Sequence, residues 1–113
     1  MLTFNPESVS RGVASTVTLN KAELLALVPV DNYFSDSNNW KKVVTVYKSD
    51  SNNQNKILSF DSSKELPTAS FLISDKSVGN FLLEKIIIQD FDYGSFVISR
   101  SEITDVTNFD AII

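Results

Sequence analysis

The stretch Gly79-Asn-Phe-Leu-Leu-Glu-Lys-Ile-Ile-Ile-Gln-Asp90 constrains the fold of this chain more than any other. Successive side chains of a β-strand point to opposite faces, so residues two apart share a face. Phe81 and Leu83 form one such pair and Ile86 and Ile88 another, but the step from Leu83 to Ile86 is odd. An uninterrupted strand would turn the two pairs to opposite faces. A β-bulge at Glu84–Lys85 inserts one residue and returns all four to the same side. The segment is therefore expected to be a long strand, bulged near its middle and buried on one face.

Shorter runs of the same character lie along the rest of the chain. Val13–Leu19, Trp40–Tyr47, Ile57–Phe60, Ala69–Ile73 and Ser95–Ser99 are rich in β-branched and aromatic residues and read as strands. Between them lie Asp31–Asn39 and Ser49–Asn55, dense in Asp, Asn and Ser, whose side chains hydrogen-bond their own backbone in turns. The second of these is expected to be a long, mobile hairpin connection. Short strands with polar turns at this spacing predict an all-β, antiparallel β-sandwich, and 113 residues suit a single domain spanning 1–113. One segment, 21–28, admits a short helix. Asn20 is a capping residue with Glu23 three positions on, Ala22, Leu24, Leu25 and Ala26 favour helix, and Pro29 would stop it. The alternative there is a buried strand, Leu24–Val28.

The pattern Gly79-x-Phe81-x-Leu83-x-x-Ile86-x-Ile88-x-Asp90, followed by a turn through Asp92-Tyr93-Gly94-Ser95 and a further strand, resembles the C-terminal hairpin of bacterial immunoglobulin-like surface domains. The likeness covers about 20 residues, and a strand joined to a turn is a feature many sandwiches share. Two departures stand out: the turn Asp90–Gly94 is one residue longer than in that pattern, and Ser95 occupies the usual Asn position. The resemblance implies an immunoglobulin-like sandwich acting as a spacer or adhesive module of a larger extracellular or cell-surface chain, with specificity in the loops.

Composition removes several classes of function. The chain has no Cys and no His, which excludes thiol nucleophiles, Cys/His zinc sites and imidazole acid–base chemistry. Its glycines, Gly12, Gly79 and Gly94, stand apart, so no phosphate-cradling loop is present. Formal net charge is −4, and basic residues are scattered apart from Lys41–Lys42, so nucleic acid is a poor partner. Those two lysines are read as solubilising residues or guards of an exposed strand edge. No apolar stretch approaches the ~20 residues that span a bilayer as a helix. Met1-Leu-Thr-Phe-Asn-Pro-Glu7 lacks a basic and an apolar region, so no signal peptide is read there, and Met1 is taken as a start inside a longer exported protein.

Two candidate sites remain. Tyr33 and Trp40, with Phe34 and nearby Asn and Asp, would make an aromatic platform for a sugar if Trp40 is exposed. A lone Trp near a strand start packs inward in the competing reading. Asp90 and Asp92 alternate at a strand end and would offer oxygens to a hard cation such as calcium, although no EF-hand spacing supports them and ordinary turn chemistry accounts for both. Asp31, Asp36, Asn38 and Asn39 are a weaker set of the same kind. Paired carboxylates without a cleft carry no catalytic signal, so no enzyme is expected. The expected role is a non-catalytic structural or adhesive module that binds a surface protein, a glycan or a neighbouring domain. A carbohydrate-binding module is the first alternative and a phage or virion assembly protein the second.

Overall fold

The computed structural model describes residues 1–5, 8–10, 12–49, 55–73 and 79–103, and the backbone of 109–112. Its strands are β1 (Leu2–Asn5), β2 (Ser8–Ser10), β3 (Ser15–Leu19), β4 (Lys42–Ser49), β5 (Asn55–Asp61), β6 (Thr68–Phe71), β7 (Gly79–Asp90), β8 (Gly94–Ser99) and β9 (Phe109–Ile112), with one helix, α1 (Lys21–Leu25). They form two sheets: β1-β3-β6, and a larger one ordered β2-β9-β7-β4-β5 in which β8 also pairs with β7. Among the described residues, all pairings are antiparallel except β2 with β9, which is parallel. The all-β sandwich expected from the spacing is therefore present, with that one parallel pair added.

The bulge lies where the odd step requires it. Along β4, Val46 faces Lys85 and the next residue, Tyr47, faces Leu83, so Glu84 is the extra residue of β7. Glu84 and Lys85 are exposed, whereas Phe81, Leu83, Ile86 and Ile88 are all buried. A strand has only two edges. β4 occupies one edge of β7, so the other is divided between β8, along Lys85–Asp90, and β9, along Gly79–Phe81. Opposing this row across the sandwich are Leu2 and Phe4 of β1, Val17 and Leu19 of β3, and Phe71 of β6. The Phe4 and Tyr47 rings bridge the sheets edge-on, with centroids 5.8 Å apart, a favoured aromatic geometry.

The short helix forms as its cap predicts. The Asn20 side chain accepts a hydrogen bond from the Glu23 amide at 3.2 Å, which satisfies one of the donors a helix start leaves open. Leu24 then packs into the core. The expected edge-guarding role of Lys41–Lys42 is not supported for Lys42, because β4 lies between β5 and β7 and Lys42 pairs with Asp61 and Gln89. The Ser49–Asn55 connection falls, apart from its ends, outside the described residues.

Ile88 is fully buried, between Val43 and Phe96 in register. Ile88→Asp places an unpaired carboxylate there at a cost of several kcal/mol, against a typical stability of about 5–15 kcal/mol. Circular dichroism and urea unfolding should report a chain that is unfolded or nearly so; a soluble variant of wild-type stability would contradict the burial of β7.

Candidate functional site

The candidate site lies at one end of the sandwich. There β3 ends at Leu19, β4 begins at Lys42, β5 ends at Asp61, β6 begins at Thr68, and β7 turns into β8 between Asp90 and Gly94. Cross-strand partners Thr18–Thr68, Lys42–Asp61 and Lys42–Gln89 bring these termini level. Three connections meet at this end: residues 20–41, the 62–67 turn and the 91–93 turn.

Asp90 organises the first part of the site. It shares the inward parity of Ile86 and Ile88, and it is only 6% exposed. A carboxylate in that position must be hydrogen-bonded. The Tyr33 hydroxyl donates to one oxygen at 2.7 Å, and the Asp92 amide donates to the other at 2.9 Å. The Tyr33 hydrogen bond, then the Asp92 amide, hold the Asp90 carboxyl below its ordinary value, with the charge of Lys41 contributing in the same direction. The same bond to Asp90, followed by burial, pushes the Tyr33 hydroxyl up to about 12. Tyr33 also stacks on Tyr93, with centroids 3.7 Å apart and planes 11° from parallel. Tyr93 is 65% exposed and Phe91 81% exposed, so the 91–93 turn presents two large aromatic side chains to solvent beside a fixed Tyr33–Asp90 pair. Gly94 closes the turn at φ +110°, a conformation that side-chain-bearing residues rarely adopt.

Two residues read from sequence as belonging to different sites, Tyr33 and Asp90, are thus bonded to one another. Trp40 is not part of a platform: it is 3% exposed, its indole N–H donates to the Phe34 carbonyl at 2.8 Å, and it belongs to the core cluster. Its large apolar area is worth more buried than solvated, and the Phe34 carbonyl satisfies its one donor. Asp36 and Asn32 are used locally, accepting from the Asn38 and Phe34 amides to cap two 3₁₀ turns, and the Asn39 side chain donates to the Tyr33 carbonyl. Among the described residues, no group of three or more acidic side chains is placed to hold a metal ion. Asp90 already spends both oxygens on protein donors, and Asp92 contributes its amide to that network.

Beside the aromatic pair lies a polar hollow of about 340 Å³ lined by residues of α1, the 20–41 connection and the 62–67 turn. Its inner wall contains Lys21, whose ammonium donates to the Ser62 carbonyl at 2.6 Å and lies 5.6 Å from the centre of the Trp40 ring. The Ser62 hydroxyl in turn donates to the Trp40 carbonyl. Sequence reading missed Lys21 as a buried cation. Its one visible signal was a lysine at the first position of the capped helix, where exposure is the ordinary expectation.

The Tyr33–Asp90 bond makes stability depend on pH at both extremes. Asp90 is depressed, so its contribution is present above the unfolded carboxylate value near ~3.9 and is lost as pH falls. Tyr33 is raised, so its contribution is present below the unfolded value near ~10 and is lost as pH climbs toward about 12. Tyr33→Phe should therefore flatten the acid decline of unfolding free energy, measured by urea denaturation between about pH 5 and pH 2. Equal declines in variant and wild type would contradict the bond.

No protein-family model matches the chain, and no curated protein matches it in sequence. Among solved structures it is similar to part of Cwp6 from Clostridium difficile, with a TM-score of 0.69 and 9% sequence identity. The likeness covers 100% of this chain and 17% of that one, so the chain spans less than a fifth of the length of the structure it matches. At that identity what the two share is the fold.

Proposed function

We propose that this chain is a non-catalytic, immunoglobulin-like structural or adhesive module of a larger surface protein, and that it meets its partner through the end bearing Tyr33, Phe91 and Tyr93. The strand order supports the immunoglobulin-like reading. β1-β3-β6 faces a second sheet in which β4, β7 and the interrupted edge β8/β9 are neighbours, β5 extends the sheet beyond β4, and β2 joins the opposite edge. The 9% identical neighbour, in which a unit of this fold is a small part of a longer chain, supports the modular reading. A glycan is the partner in the alternative reading. That alternative now rests on Tyr93 with Tyr33, because Trp40 is buried.

The observation that carries the proposal is the exposure of Phe91 and Tyr93 on a turn anchored by Asp90. Two large aromatic side chains exposed on one anchored turn form an apolar patch of the kind that marks contact surfaces, and aromatics are enriched among the residues that dominate binding energy. Burial of two such side chains should account for most of the affinity. In arrays of surface glycans and extracellular proteins, the wild type should give signals that the Phe91→Ala/Tyr93→Ala variant loses by tenfold or more, on the order of 1.4 kcal/mol. Phe91 faces solvent and Tyr93 loses one ring stack on Tyr33, so the variant should keep its circular dichroism and lose only a few degrees of thermal midpoint. Signals that survive the double change, or none from the wild type, would count against this end as the contact surface.

A further inference from the structure

The polar hollow beside Trp40 poses a separate physical question. Lys21 is 6% exposed, and a lysine is rarely buried without a counter-charge. Among the described residues its ammonium forms no ion pair. One of its three donors goes to the Ser62 carbonyl, and the ring face of Trp40 provides the other stabilising contact. Two acids line the same hollow, Asp61 and Glu65, but neither neutralises Lys21. Asp61 accepts from the Ser63 amide, and Glu65 is exposed while its carbonyl accepts from the Lys21 backbone amide.

We propose that this hollow binds a small anion, with a carboxylate or phosphate oxygen accepting from the Lys21 ammonium. Lys41 also lines the hollow and supplies a second positive charge, while Ser37, Asn38 and Ser63 provide hydroxyl and amide groups for the rest of the ligand. A volume of about 340 Å³ lies at the lower end of the range of small-molecule pockets, roughly 300–1,000 Å³. The ligand class is therefore a compact polar anion such as a carboxylated monosaccharide. The chain's net charge of −4 opposes anions at long range, but that field is screened beyond about 8–10 Å at physiological salt; within the hollow Asp61 and Glu65 formally balance the two lysines, so recognition rests on direct donation from the Lys21 ammonium. The inference does not rest on the aromatic contact surface, because Phe91 and Tyr93 line no part of this hollow.

Trp40, the sole tryptophan, lines the hollow and reports on it. Its fluorescence should be titrated with glucuronate, inorganic phosphate and glucose. A saturable change with glucuronate or phosphate that weakens as sodium chloride is raised, and no comparable change with glucose, is the expected result. Response to glucuronate alone would assign the site to a carboxylated sugar, and response to both would assign it to oxyanions in general. Lys21→Met is close to lysine in length and removes the charge, so it should weaken binding roughly tenfold or more. Should that variant not fold, Lys41→Met at an exposed position should weaken binding in the same direction. Phe91→Ala/Tyr93→Ala should bind the anion as the wild type does, which separates this inference from the proposed function. No saturable signal, an equal response to glucose, or unchanged affinity in a folded Lys21→Met variant would overturn it.

Discussion

The register of β7 against β4 is the constraint on which the rest of this structure depends. β7 pairs along one edge with β4 and along the other with β8 and β9, so a slip of one residue would disturb three ladders together. It would also turn Ile86 and Ile88 toward solvent, because the side-chain period is two. Glu84 settles the register by being the extra residue. With it looped out, Phe81 and Leu83 on one side of the bulge and Ile86 and Ile88 on the other all face the same core.

The same parity continues to the end of the strand and determines the chemistry there. Asp90 is the next inward residue after Ile88, which places a carboxylate at the rim of an apolar core. The Tyr33 hydroxyl and the Asp92 amide answer that demand, and in doing so they fix the 91–93 turn against the 33–35 turn. Phe91 and Tyr93 are consequently held out in solvent on a positioned turn. Deeper in the same end, Lys21, Trp40 and Ser62 form a second linked set that ties α1 to the 62–67 turn and leaves a polar hollow above it. The exposed aromatics and the polar hollow thus gather where the connections meet, and the sheets below supply the rigidity.

Much of this was legible in the sequence because it is local. The bulge followed from an odd spacing between aliphatic residues, the helix from Asn20 and Glu23, and the character of 31–39 from side chains that cap their own turns. Strands β1, β2 and β9 went unread: three or four residues, such as Ser8-Val9-Ser10, are too few to show a period, and pairing with distant strands makes them. The Tyr33–Asp90 bond joins residues 57 apart, and no local pattern encodes it. Trp40 illustrates the same limit, since its surroundings in sequence are polar while its surroundings in space are the core.

Cross-strand backbone nuclear Overhauser effects between β4 and β7 test the central claim most directly, because they read the register itself. The account predicts contacts pairing Val44 with Ile87 and Val46 with Lys85, then Tyr47 with Leu83, with Glu84 passed over. A continuous ladder in which Tyr47 pairs with Glu84 would contradict it. The inward placement of Asp90 and the site built around it could not then stand together with the buried Phe81–Leu83 pair.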